Sequence, residues 1–224
     1  MPLIIILAEC GIELIPKHIR NHSAIRNNLT PQNYSSQLLD NALHHSAMKN
    51  LKNFEKRGRP DITHICLLNI LGSSLNKSGN LKLYIHTINN KIFELNPKIR
   101  IAKNYNRFKG LMAKLLIDGV IKSETITLIN PFKGSLNNLL RTFENPEVLI
   151  LSRKGKPIEN YNELFLKNLK KNYIVIIGGF QKSTFSKEIM NLSENLISIS
   201  KYPLEAWVVT YKIISFYEII NKIE

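Results

Sequence analysis

From Leu3 to Leu7 the chain reads Leu-Ile-Ile-Ile-Leu without a polar interruption, and a short apolar run rich in isoleucine is the pattern of a strand covered on both faces. Its expected place is the middle of a sheet. After a polar stretch around Arg20 to Asn33, Leu38, Leu39, Ala42, Leu43, Ala47, Met48, Leu51 and Phe54 recur at three and four, which predicts an amphipathic helix of about five turns. Lys56-Arg57-Gly58-Arg59-Pro60 should end it, because neither glycine nor proline continues a helix cheaply. Asp61 then precedes Ile62, Ile65, Leu67, Leu68 and Leu71, a second, shorter helix stopped at Gly72. A turn from Asn76 to Asn80 leads into a strand from Leu81 to Thr87, and Asn89-Asn90 turns the chain back through Lys91 to Leu95. The reading is a β-hairpin inserted near residues 75–96.

From Asn106, the residues Phe108, Leu111, Met112, Leu115 and Leu116 predict a helix closed near Gly119. Beyond Asn130-Pro131 the rhythm is regular. Strands from Val148 to Ser152, Tyr173 to Ile177 and Leu196 to Ser200 alternate with helices from Tyr161 to Leu169, Phe185 to Leu192 and Leu204 to Ile223. Such alternation implies a mostly parallel sheet with crossover helices, and the whole chain, 1–224, reads as one α/β domain.

The chain has 224 residues, 44% of them hydrophobic, enough to bury a sizeable core. Lys+Arg 31 against Asp+Glu 17 leaves +14. Residues 1–112 hold 16 basic and 6 acidic side chains (+10) and residues 113–224 hold 15 and 11 (+4), so a polyanion should meet the first half. Cys10 and Cys66 have neither disulfide nor zinc-site spacing, the histidines share no metal spacing, and no apolar run approaches a membrane span. The expectation is a cytoplasmic protein with no metal and no membrane partner.

The segments following the last three strands come first as ligand loops, since parallel sheets bind at the carboxyl ends of their strands. They are Ser152-Arg-Lys-Gly-Lys-Pro157, Gly178-Gly179-Phe180-Gln181-Lys182-Ser183 and Ile199-Ser200-Lys201-Tyr202-Pro203-Leu204. Gly178 and Gly179 would let a flat ligand approach the backbone, or simply make a strand-to-helix turn. No phosphate-cradling glycine motif, catalytic triad or paired-carboxylate spacing occurs. A second cluster joins Arg57, Arg59 and Asp61 to Arg100, Lys103 and Arg107, which would align if their segment were helical, with Tyr105 and Phe108 among them. Basic residues interleaved with aromatics suit a nucleic-acid groove, and equally a solvated face. Asp61 is also well placed as a helix N-cap.

Taken together, Gly58-Arg-Pro-Asp-Ile-Thr-His64, Leu75-Asn-Lys-Ser-Gly79, Leu83-Tyr-Ile-His-Thr87, Glu94-Leu-Asn-Pro-Lys-Ile-Arg-Ile101, Arg107-Phe-Lys-Gly-Leu-Met112 and Ile197-Ser-Ile-Ser-Lys-Tyr-Pro-Leu-Glu-Ala206 resemble the Nep/Emg family of ribosome-biogenesis pseudouridine methyltransferases, in its short archaeal form. The resemblance runs from about residue 2 to the end. It implies a SPOUT-class fold whose part from about 148 to 224 is threaded into a trefoil knot, paired as a homodimer. Periodicity alone would have drawn an open sheet, since connections rarely knot.

The resemblance further implies methyl transfer from S-adenosylmethionine to N1 of a pseudouridine in a small-subunit ribosomal RNA hairpin, and a part in assembling that subunit. Its cofactor positions fall on Ser152, Gly178, Gly179, Ser183 and the run Ile199, Ser200, Lys201, Tyr202, Pro203 and Leu204. Its RNA-contacting positions fall on Arg59, Asp61, Arg100, Lys103 and Arg107, with Asp61 and Arg59 the candidates for chemistry. Asp61 would accept a hydrogen bond from the uracil edge or act as base. Ser183 stands where eukaryotic members usually have glycine, which matters only if that position needs a positive φ. Lys103 stands where many relatives have arginine, which turns a two-pronged phosphate contact into a point charge. The competing class is a non-catalytic RNA-binding assembly factor, separable from the enzyme by cofactor binding.

Overall fold

The computed structural model describes residues 2–27, 36–165 and 171–223. Eight strands form one sheet: β1 (Leu3–Cys10), β2 (Leu81–Thr87), β3 (Ile92–Leu95), β4 (Ile121–Lys122), β5 (Thr127–Phe132), β6 (Pro146–Pro157), β7 (Asn172–Gly178) and β8 (Leu196–Ser198), in the order β4-β5-β3-β2-β1-β7-β6-β8. β1 pairs in parallel with β2 and β7, and β6 in parallel with β7 and β8. These five strands therefore present their carboxyl ends at one edge, where the loops of interest begin. β3, β5 and β4 continue the sheet antiparallel.

β1 is central, and all eight of its residues are buried. Leu3, Ile5 and Leu7 pack with α3 (Pro60–Gly72), α5 (Tyr105–Asp118) and α8 (Ala206–Asn221) through Ile62, Cys66, Phe108, Met112, Ile213 and Tyr217. Ile4, Ile6 and Ala8 face the other layer, α6 (Leu136–Leu140) and α7 (Lys187–Met190), through Leu139 and Ile189. Two covered faces are the reason the strand has no alternation.

The hairpin expected as an insertion is part of the sheet. β2 lies directly beside β1 in parallel, so residues 81–95 carry the sheet onward. β5 has no counterpart in the sequence pattern, where Pro131 interrupts its apolar run. β4 pairs with β5 only at Ile129 and Thr127, so Pro131 lies where β5 has β3 on one side and an open edge on the other, which tolerates a residue without an N–H. The expected five-turn helix over 38–54 is shorter: α2 is Asn41–Met48, started by Asp40, whose Oδ1 accepts from the Ala42 N–H. Asn53 then takes a left-handed φ of 56° before a short 3-10 turn at Phe54–Lys56, which no continuous helix could accommodate. The helix expected over 185–192 is the four-residue α7, and that over 161–169 is a 3-10 turn at Tyr161–Glu163, with 166–170 outside the described residues. The first late strand is longer than read, because β6 continues past Ser152 and meets Ile197 of β8 twice, at Leu151 and again at Lys156.

Two buried histidines tie stability to pH. His44 Nδ1 accepts from the Asp40 N–H at 3.0 Å and His86 Nδ1 from the Glu9 N–H at 3.2 Å, so both rings are held neutral. Burial pushes both below the ordinary value of 6.5. A group whose folded pKa is depressed contributes stability that is complete above the unfolded pKa and is lost as pH falls toward the folded one. The melting temperature should therefore hold above pH of about 6.5 and decline below it, and a His86→Gln variant should show a flatter profile between pH of about 5 and 7. A wild-type profile flat through this range would count against the assignment.

Among the described residues, no helix is long and apolar enough to cross a membrane, and no cluster of His, Cys, Asp or Glu could hold a metal ion.

Candidate active site

Arg59 and Asp61 open α3. Proline at the first helical position forfeits no hydrogen bond, so the helix starts at Pro60 with Arg59 as its N-cap residue and Asp61 in the first turn. Asp61 is thus not the N-cap. Its carboxylate instead meets Arg59 in a two-pronged pair, Arg59 Nε donating to Oδ1 at 2.8 Å and Nη2 to Oδ2 at 2.7 Å. The Asp61 side chain is 36% exposed and that of Arg59 19%, so the fork lies at the surface with its stem covered. The pair with Asp61 holds Arg59 above the ordinary arginine range, and Glu205 adds to the effect from the start of α8. Arg57, two positions earlier, is turned inward by a two-pronged pair to Glu13 at 2.7 and 2.5 Å.

The basic segment 100–107 is brought to this fork by α3 itself. His64, one turn along the helix, donates from Nε2 to the Ala102 carbonyl at 2.7 Å, and its ring stacks on Phe108 at 4.4 Å and on Tyr105 at 5.9 Å. Tyr105 donates through its hydroxyl to Asp40 Oδ2 at 3.2 Å, an oxygen that Lys109 Nζ also reaches at 2.8 Å. Burial and then the Asp40 and Asp61 carboxylates push the Tyr105 hydroxyl well above the ordinary tyrosine range, so it stays a donor. Arg100 and Lys103 precede α5 and only Arg107 lies in it, so the three do not align along one helix. All three are nevertheless exposed, with no side-chain partner among the described residues, and are free to meet a polyanion.

The three loops leave the sheet at its carboxyl edge. Ser152 is half-buried where β6 bends, and Gly155 passes so close to β8 that a Cβ there would sit 2.5 Å from the Ile197 backbone N and C. Gly178 and Gly179 end β7, yet their missing side chains are accounted for within the protein. A Cβ on Gly178 would meet the Phe180 ring at 2.9 Å and one on Gly179 the Cys10 Sγ at 2.4 Å. Packing against Phe180 and Cys10 thus favours glycine at both positions. Ser183 is exposed and its φ is not left-handed, so serine meets no backbone penalty there. After β8, Ser198 Oγ donates to the Ser200 carbonyl at 2.9 Å and Ser200 Oγ accepts from the Tyr202 N–H at 3.0 Å, which sets the 199–204 loop without any ligand. Ile199 and Leu204 are half-buried, while Lys201, Tyr202 and Pro203 are exposed. Half-buried apolar walls beside open main chain are a suitable lining for a nucleoside with an aliphatic tail.

A cleft of about 630 Å³, lined by Asn137, Leu140, Phe143, Pro146 and Leu192, opens at the amino ends of β6 and β7, opposite the loop edge.

Sequence reasoning missed Tyr105, Asp40, Lys109 and Glu205, which fix the fork and its neighbours. In the sequence Tyr105 reads only as an aromatic between basic residues. Asp40 could have been found from its place before an apolar period, an N-cap signal, but its second duty toward Tyr105 and Lys109 depends on contacts 65 and 69 positions away.

A family model, EMG1/NEP1 methyltransferase, matches residues 5–218. The chain is 39% identical over 216 residues to the ribosomal RNA small subunit methyltransferase Nep1 of Staphylothermus marinus, covering 95% of this chain and 94% of that protein. It is also 39% identical over 218 residues to the protein of the same name from Thermococcus onnurineus, covering 96% and 97%. The crystal structure of Archaeoglobus fulgidus Nep1 bound to S-adenosylhomocysteine superposes with a TM-score of 0.88 at 33% identity, over 99% of this chain and all of that one. With a matched core from β1 to α8 and full-length relatives well above 30% identity, the chain belongs to the EMG1/NEP1 methyltransferase family.

Proposed function

We propose that this protein transfers the methyl group of S-adenosylmethionine to N1 of a pseudouridine in a hairpin of small-subunit ribosomal RNA, and that it acts in building that subunit in the cytoplasm. The observation that carries the reading is the locked Arg59–Asp61 fork next to Glu205, directly after the 199–204 loop, in a chain whose full-length structural relative binds S-adenosylhomocysteine. One domain spans 1–224, with the cofactor held by residues of its part from 148 onward. The close passage of Gly155 across the β8 backbone and the double pairing of β6 with Ile197 support a trefoil knot there. The apolar α8 leaves Tyr211 63% and Ile219 74% exposed, which supports a homodimer built on that helix.

Ser152, Gly178, Gly179, Ser183 and residues 199–204 would hold the cofactor, largely through main chain and the half-buried Ile199 and Leu204. When bound, the sulfonium supplies an already activated methyl carbon. The protein's part is then to align N1 with that carbon and to manage the N1 proton. Asp61 is suited to the second task while still paired, since each carboxylate oxygen keeps a lone pair beyond the one that Arg59 uses. Arg59 would engage the extruded nucleotide, and the exposed Arg100, Lys103 and Arg107 would hold the flanking phosphates, because N1 is out of reach inside a stacked stem.

Titration calorimetry with S-adenosylmethionine, followed by a pseudouridine-containing hairpin, tests the proposal. One cofactor site per subunit, hairpin binding that weakens with salt, and a methylated product are expected, from a particle that sediments as a dimer. RNA binding with no cofactor heat would instead favour a non-catalytic assembly factor.

A further inference from the structure

Glu9 is a charged residue inside the central strand, 6% exposed, at a β-bulge between Leu7 and Cys10. It takes a left-handed φ of 53°, a conformation that costs a non-glycine residue free energy and persists only where the surroundings enforce it. The surroundings do so from three elements. The Glu9 N–H donates to His86 Nδ1 of β2 at 3.2 Å, and His86 Nε2 in turn donates to Asn90 Oδ1 at 3.1 Å. Lys56 Nζ donates to Glu9 Oε2 at 2.7 Å, with both side chains less than a tenth exposed. The Ser186 N–H, at the start of α7, donates to Oε1 at 3.2 Å.

The two carboxylate oxygens thus hold two different segments. One holds Lys56, three residues before Arg59, in a turn whose backbone lies against Gly11, where an added Cβ would be 2.8 Å from the Lys56 carbonyl and 2.9 Å from the Arg59 N. The other holds the far end of the 178–186 loop that leaves β7. Lys56 also contacts that loop directly, its ammonium 5.0 Å from the Phe180 ring centroid, and the same ring closes over Gly178. A buried ion pair is a poor source of net stability, whereas it fixes geometry well because its partners tolerate little displacement.

We propose that Glu9, through Lys56, is a positioning residue for methyl transfer: it sets the distance between the turn that carries Arg59 and Asp61 and the loop after β7 that borders the cofactor. The inference rests on the function proposed above. It separates alignment from affinity: each ligand is bound by other residues, while their mutual placement depends on this carboxylate.

The experiment uses Glu9→Asp, which keeps the charge but is one methylene too short to reach both partners, and Glu9→Gln combined with Lys56→Met, which removes both charges and leaves neither buried alone. For each folded variant, S-adenosylhomocysteine and hairpin affinities are measured separately, and kcat is measured with both substrates saturating. The expected result is affinities within about threefold of wild type with kcat lowered about 30-fold or more. The double variant is the less disruptive to folding; if it does not fold, Glu9→Asp decides alone. A kcat within threefold of wild type in a folded variant overturns the proposal, as does a cofactor affinity that falls in step with kcat, which would mean a loop merely unsettled. A wild-type protein that binds no S-adenosylhomocysteine would defeat the underlying functional reading instead, an outcome visible before any variant is made.

Discussion

Asp61→Ala should lower kcat/KM for hairpin methylation by about 100-fold or more, equivalent to about 2.7 kcal/mol of transition-state stabilisation. Two losses combine. The substitution removes the carboxylate proposed to accept the uracil N–H, and it frees a guanidinium that is only 19% exposed and otherwise held at 2.7 and 2.8 Å. An arginine released from a two-pronged partner regains rotamer freedom and no longer presents a fixed plane to the nucleotide. Asp61→Asn keeps one acceptor oxygen and should fall between wild type and alanine. Arg59→Lys, a point charge in place of a fork, should lose about tenfold in RNA affinity while leaving cofactor affinity unchanged. Thermal stability should move by only a few degrees in each, since the pair is partly solvated and such pairs contribute about 1 kcal/mol or less. Single-turnover methylation with labelled cofactor, together with RNA titration, measures both quantities. Asp61→Ala retaining wild-type turnover would return the fork to the status of a helix-end ornament.

Gly155→Ala should be strongly destabilising. The added Cβ would lie 2.5 Å from Ile197 N, 2.5 Å from Ile197 C and 2.6 Å from Leu196 C, all backbone atoms of the neighbouring chain segment. No rotamer change can relieve a clash with backbone, so β6 and β8 must separate, against strand pairing on both sides of the bend at Leu151 and Lys156. A cost of about 3 kcal/mol or more is expected, lowering the melting temperature by about 6–12 °C for a chain of this size. Because the 199–204 loop leaves β8 one residue after its end, the same displacement should abolish binding of S-adenosylhomocysteine even where the variant remains folded. Gly110→Ala, on an exposed helical position with nothing near its missing Cβ, serves as the control and should be neutral or slightly stabilising. Equal melting temperatures for the two variants would show that β6 and β8 yield locally to admit the methyl group.

The sequence determined a good deal by itself. The continuous apolar run of β1, the hairpin of β2 and β3, the period of α5 with its Gly119 stop, and the three late strands with the final helix α8 were legible because each is encoded by neighbours within about one turn or one strand pair. The nearness of Arg59 and Asp61, and the places where the three loops leave their strands, were legible as well, since those motifs are contiguous. What they are to one another was not. β5 was hidden by Pro131, whose acceptability depends on which edge of the strand is left unpaired. Asp61 looked like an N-cap until Pro60 and Arg59 took that end of the helix and turned the carboxylate to the guanidinium. The glycine pair 178–179 reads equally as room for a ligand or as a strand-to-helix turn, and only the folded chain shows Phe180 and Cys10 packed beside it. Glu9 carried no signal at all, because a glutamate after an apolar strand reads as its polar end. Only the folded chain brings Lys56 from 47 positions away and Ser186 from 177 positions away to its two oxygens. Local patterning sets which elements form, since helix and strand periods are short-range properties. Ion pairs, backbone clearances and the distance between two loops are set by the packing of segments far apart in the chain, and so were decided only in three dimensions.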